Sequence, residues 1–197
     1  HNMGAISDLF VKVGRITFYV LALVFSGFFL YGKEFISWWA GDGMTDAYCI
    51  ALIVMAPFTI DLIQNLGLTI LQVVDRYAFR AKIYFVVAVL NIVSTIILAR
   101  QFQGIGAAVS TGVSMFIGSG LIMNWYYWKR IGLDIIKFWK NILPIAAGTV
   151  LAAAIGFGIK LIFPSGGILL LALQIALYCL IYAAVMWAVC LNGYEKG

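Results

Sequence analysis

The chain has 197 residues, 64% of them apolar and 11% charged, with a formal net charge of +5 and a mean hydropathy of +1.03. Water-soluble domains carry about 25% charged residues, so an ordinary soluble fold is excluded and lipid replaces water around most of the surface. The basic balance does not point to nucleic acid, because Lys and Arg sit in short loops between apolar runs, where they orient a membrane protein.

The first twelve residues lack the layout of a cleavable signal peptide. Lys12 and Arg15 then lead into an apolar run, and residues 13–30 are the first predicted span. Trp38 and Trp39 follow as interface anchors, and Gly41 and Gly43 as turn residues. Residues 47–74 form the second predicted span, about 42 Å long if wholly helical. The basic stretch 75–82 leads to a third span over residues 83–99, in which Asn91 and Thr95 share a face suited to interhelical hydrogen bonds.

A turn at residues 100–103 precedes the fourth span, 104–125. Gly104, Ala108 and Gly112 recur every fourth residue, a small-residue face that admits a neighbouring helix. Gly104 and Gly106 do not make a nucleotide-binding loop, since position 109 is Val and no soluble strand precedes them. Residues 131–140 are expected to lie in the interface or to extend the next helix. The fifth span covers residues 142–163, with Pro144 in its first turn and a second small-residue face at Gly148, Ala152 and Gly156. A turn at residues 164–167 leads to the sixth span, 168–191, and a short polar stub.

The N-terminal segment, the 75–82 loop, residues 129–140 and the stub hold ten of the 13 Lys and Arg; Lys33, Arg100 and Lys160 are the other three. By the positive-inside rule both termini are cytoplasmic, and the alternation fits six spans. Cys49, Cys179 and Cys190 lie in apolar runs without metal-ligand spacing, and the single histidine, His1, provides no metal cluster. No metal or cofactor is expected.

Asp61 is the residue that asks for a function. It lies midway along the second span, where a carboxylate is costly and where acids face a bundle interior or a watery cavity. Gln64 and Asn65 follow three and four residues later, so a continuous helix puts all three on one polar seam, with Asn91 available from the next span. The functional reading is a cavity acid that binds an ion or a substrate group. The bland reading is a carboxylate satisfied by Gln64, Asn65 or a neighbouring helix. Arg76, Arg80 and Lys82 suit a diphosphate head group at the cytoplasmic mouth, and equally satisfy the charge rule alone.

The run GKEFISWWAG from Gly32 to Gly41, then Asn91, then GIGAA from Gly104 to Ala108, then NWYYWK from Asn124 to Lys129 resemble, in this order, landmarks of Wzx-type polysaccharide flippases. These belong to the larger group of multidrug extruders and lipid-linked oligosaccharide exporters. Gln103 stands where that family often has an aromatic residue. The resemblance implies an all-α integral membrane protein whose six helices form one lobe of a two-lobed transporter. Residues 1–197 would be the C-terminal lobe, in the bacterial inner membrane. The implied cargo is an undecaprenyl-diphosphate-linked sugar unit moved by alternating access. The implied partners are that lipid-linked oligosaccharide, membrane lipid and an N-terminal lobe.

Two other classes compete. A multidrug or cation antiporter of the same fold would use Asp61 as its coupling acid. A membrane glycosyltransferase or acyltransferase would need an acid–base pair or an activated nucleophile. The clustered acids Glu34, Asp42 and Asp46 have no histidine beside them, and loop solvation accounts for them.

Overall fold

Long apolar runs in lipid must satisfy their backbone N–H and C=O groups internally, and a helix does this within one segment. In the computed structural model, which describes residues 3–163 and 167–190, every regular element is helical. The helices are α1 (Met3–Ala40), α2 (Thr45–Ile63), α3 (Asn65–Val73), α4 (Tyr77–Ile131), α5 (Ile135–Ile162) and α6 (Ile168–Cys190). All except the nine-residue α3 are long and apolar enough to cross a membrane, which makes five such helices among the described residues. By length and composition the chain is a multi-pass membrane protein.

The element boundaries differ from the expected spans for identifiable reasons. Residues 13–30 are the middle of the 38-residue α1, because no residue breaks the helix before Gly41, whose φ of 91° ends it. Residues 47–74 form two helices, since the backbone departs from helical angles at Gln64. α5 begins at Ile135, so the 131–140 segment supplies its first turns and Pro144 lies inside the helix, not at its start. The turn at residues 164–166, residue 191, the stub and His1 lie outside the described residues.

α4 is 55 residues long, yet it is not one straight rod. At Gln103 the backbone takes φ 51° and ψ −131°, far from helical values. Contacts then close in on that residue from both sides. Tyr84 meets Ser119, Ser94 meets Ser110, and the bare Cα of Gly106 lies against the Leu98 carbonyl. The two arms of α4 therefore run antiparallel around Gln103, with Arg100 beside the bend.

Two compact units divide the chain. The first takes the chain up to Phe18 together with Cys49–Asn141. In it the small-residue face of α4 receives α2. A Cβ on Gly104 would lie 2.9 Å from Ile50 Cδ1, one on Gly112 would lie 3.0 Å from the Ile53 carbonyl oxygen, and Ala108 is buried. That carbonyl is the one left without its helical donor by Pro57, four residues on. The glycine thus lets the return arm come close to that backbone oxygen. Phe10, Tyr127 and Phe138 fill the end of this unit near the chain start, with Phe10 and Phe138 ring centroids 4.7 Å apart. There Lys137 pairs with Asp8 at 2.6 Å, the Asp134 N–H donates to Ser7, and Phe79 stacks on Tyr126. The basic segments of α1, of the α3–α4 junction and of residues 129–140 therefore gather at one end.

The second unit takes Tyr19–Tyr48 and the chain from Ile142 onward. Gly148 admits Cys190 and Met186, Ala152 is buried, and Gly156 admits Tyr178 and Leu30. Tyrosine hydroxyls tie its helices: Tyr178 donates to Ser26 (2.6 Å), Tyr182 to the Tyr19 carbonyl (2.8 Å) and Tyr19 to the Cys190 carbonyl (3.0 Å).

Candidate functional site

Asp61 stands two residues before the end of α2, beside the break at Gln64. Arg80 is in the first turn of α4, and Tyr84 lies four residues later on the same face. The return arm of α4 brings Ser119 and Tyr127 to the same place. Asp61 Oδ1 accepts from Tyr84 Oη (2.6 Å), Ser119 Oγ (2.7 Å) and Arg80 Nη2 (3.2 Å). Arg80 Nη1 donates to Tyr127 Oη and Nη2 also to Tyr84 Oη, each at 3.2 Å, and the guanidinium lies 4.8 Å from the centre of the Tyr84 ring. The pair is largely withdrawn from solvent, with side-chain exposures of 12% for Arg80 and 24% for Asp61.

The oxygens of Asp61, Tyr84 and Ser119 form a close triangle, since Tyr84 Oη and Ser119 Oγ are themselves 2.6 Å apart. Each hydroxyl has one hydrogen, so the two hydrogens serve two of three edges at a time. Arg80 compensates the carboxylate charge in an apolar setting, where an uncompensated one is costly. Next to Ser119, Gly118 faces Val87 of the first arm, where a Cβ would sit in ordinary contact at 3.4 Å. The glycine that a close approach does require is Gly67, under Tyr127, where a Cβ would lie 2.6 Å from the ring.

A second polar group borders the first. Gln64 is 2% exposed and donates to Asn124 Oδ1 at 2.9 Å, and the Trp139 indole N–H donates to the same oxygen at 3.0 Å. Asn124 in turn donates to the carbonyl oxygens of Gly120 (2.7 Å) and Ser119 (3.3 Å). Gln64 therefore braces the backbone that carries Ser119.

The expected seam of Asp61, Gln64 and Asn65 is corrected by this arrangement. Only Asp61 and Gln64 turn inward, and Asn65 is exposed, because the break at Gln64 interrupts the helical register. Asp61 is also not midway along a span; it shares the level of Arg80, close to the basic end. Asn91 does not join it. Its Oδ1 accepts from Ser110 (2.8 Å) and Thr95 (3.2 Å), so it links the arms of α4 nearer the bend. The three cations of the 75–82 stretch separate too: Arg80 turns to Asp61, while Arg76 and Lys82 line a cavity of about 380 Å³ with Asp75, Phe79, Tyr126 and Arg130. Tyr84, Ser119 and Tyr127 escaped the sequence reading. The Arg80–Tyr84 spacing of four was the available signal, but nothing in the order of residues joins it to Ser119.

In the second unit Lys160 pairs with Glu34 at 2.6 Å and donates to the Leu30 carbonyl oxygen, and Glu34 Oε2 is buried without a hydrogen-bond partner. No family model, no curated protein and no solved structure matches this chain.

Proposed function

We propose that this chain is one six-span lobe of a Wzx-type flippase, with both termini cytoplasmic, in the bacterial inner membrane. Its cargo is an undecaprenyl-diphosphate-linked sugar unit moved by alternating access. The observation that carries the reading is the Asp61–Arg80 pair, held between apolar helices by three hydroxyls at the basic end of its unit. Ion pairs inside spanning bundles are uncommon and mark substrate or ion pathways. The bend at Gln103 supports counting α4 as two spans, hence six in all.

Arg80 is the element a diphosphate would engage. Its guanidinium is presented by a carboxylate and two phenol oxygens, and a diphosphate competes with that carboxylate for the same planar donors. Arg76 and Lys82, at the same end, raise the local concentration of the anion. Withdrawal of Arg80 would leave Asp61 tied to the two arms of α4 by Tyr84 and Ser119 alone, a loosened junction between α2 and α4 on which alternating access can act.

The test is reconstitution with a second lobe in liposomes carrying a fluorescent polyprenyl-diphosphate sugar. Flipping is expected, and Arg80→Gln should slow it at least tenfold while an Arg80→Lys protein retains part of the rate. Equal rates for wild type and Arg80→Gln would refute the role given to Arg80. An absolute requirement for a proton or sodium gradient, with soluble cations as cargo, would instead favour an antiporter using Asp61.

A further inference from the structure

The cavity at the α3–α4 junction has a composition that the ion pair does not explain. Arg76, Lys82 and Arg130 converge on it, and none of the three forms a salt bridge or side-chain hydrogen bond among the described residues. The opposite fate of Arg80, which is compensated by Asp61, makes the contrast informative. Three cations facing one 380 Å³ space with a single carboxylate, Asp75, leave an excess of two positive charges. Such a cluster repels itself unless an anion joins it.

The floor and the surroundings narrow the anion. Phe79 and Tyr126 stack with ring centroids 3.8 Å apart and planes 8° from parallel, giving the cavity a rigid apolar wall. Trp125 and Trp128, on the same stretch of α4 as Tyr126 and Arg130, are about half exposed, and Lys129 lies over the Trp128 ring at 4.1 Å. Exposed tryptophans followed by cations occur where a span meets the head-group layer. Arg76 and Arg130 each offer a planar fork and Lys82 a point charge, a set that fits the non-bridging oxygens of phosphate.

We infer that this cavity binds a dianionic phosphate group, carried on a membrane lipid or free in solution. Asp75 helps to define the site by opposing it. It takes φ 53°, a conformation that Asn also tolerates, so its charge can be removed without disturbing the turn. The inference rests on the membrane character of the chain and not on transport; a phosphate ligand without sugar or polyprenyl chain separates the two.

The experiment titrates the purified full chain in neutral detergent with dioctanoyl phosphatidic acid, and in a second arm with inorganic phosphate, following tryptophan fluorescence. Each cation near a lipid phosphate contributes about fivefold in affinity, so Arg76→Gln with Arg130→Gln should weaken binding about 25-fold. Asp75→Asn should tighten it about fivefold, and Lys137→Gln, whose cation pairs with Asp8, should change nothing. Arg130→Lys should keep most of the affinity, which guards against a folding defect in the Gln variants. Tighter binding of the lipid than of inorganic phosphate identifies a head-group site; equal binding identifies a site for the free anion, and both outcomes uphold the phosphate assignment. Binding of the double variant within twofold of wild type would overturn it, as would saturation by dioctanoyl phosphatidylcholine equal to that by phosphatidic acid.

Discussion

Breaking the Asp61–Arg80 pair from either side should cost unequal amounts, because the two partners keep different companions. At 3.2 Å and an effective dielectric constant near 20, the charges attract by about 5 kcal/mol, against about 1.3 kcal/mol in bulk water. Desolvation cancels part of this, and losing one partner of a well-buried pair costs about 3–5 kcal/mol. The residual exposure of Asp61, 24%, lowers the expectation to roughly 2–3 kcal/mol for Asp61→Asn. That variant keeps an oxygen for Tyr84 and Ser119 but leaves the Arg80 charge facing two phenols. Arg80→Gln leaves Asp61 with two hydroxyl donors, and its cost should be closer to about 1.5–2 kcal/mol. The double variant should lose less than the sum, giving a coupling of about 1.5–2 kcal/mol. Reversible unfolding of the four proteins in mixed detergent micelles measures the cycle. Additivity within about 0.5 kcal/mol would refute the claim that the charges stabilise each other.

Three further outcomes follow from the same geometry. Tyr84→Phe removes one donor to Asp61 without opening a cavity, and should cost about 1 kcal/mol in the same unfolding assay. Gly106→Val forces a side chain into the Leu98 carbonyl and should destabilise by about 3 kcal/mol or more, whereas Gly158→Ala, with open space at its Cα, should be neutral or stabilising by up to about 1 kcal/mol. Cysteines at Ser37 and at Gln101 should react from outside intact cells with an impermeant thiol reagent, and one at Tyr77 should not. Protection of Gln101 together with labelling of Tyr77 would invert the orientation, and labelling of both would remove the bend at Gln103 as a membrane reversal.

Much of the helical pattern was legible because apolar length is a local property. The turn residues were legible for the same reason: Gly41 and the stretch ending at Gln103 are where helices end or bend. The junction at Gln64 was not, since glutamine is an ordinary helix former and its departure from helical angles is set by what surrounds it. Its side chain is drawn to Asn124, sixty residues away, and Trp139 completes that contact. This single tertiary demand explains why Asn65 lies outside the seam to which its spacing assigned it. The small-residue faces were readable as packing surfaces, but not which helix each would receive.

The fate of the cations shows how far spacing alone reaches. Arg76 and Arg80 are four apart and would share a face if the helix covered both. Arg76 precedes the first residue of α4, however, and its φ of −115° takes it off the helical path just after the reversed backbone of Asp75. Lys82 is two residues beyond Arg80, about 200° around the helix, and so points away from it. Arg80 alone is placed to meet Asp61, and the other two are left to the cavity that Arg130 completes. Three cations within seven residues, which sequence treats as one basic loop, thus divide into a compensated charge that joins helices and an uncompensated group open to an anion. A substitution that extended α4 back through Arg76 would be expected to merge the two by bringing a second guanidinium to the Asp61 face. Replacing Asp75 with Ala, which resists the positive φ, is the simplest such change. Its cost in unfolding should be about 1 kcal/mol from the turn alone. If Asp61 then tolerates Arg80→Gln better than in the wild-type background, the turn at Asp75 is what keeps the two groups of cations apart; an unchanged cost of Arg80→Gln would mean that Arg76 remains in the cavity and that packing of α4, not the turn, divides them.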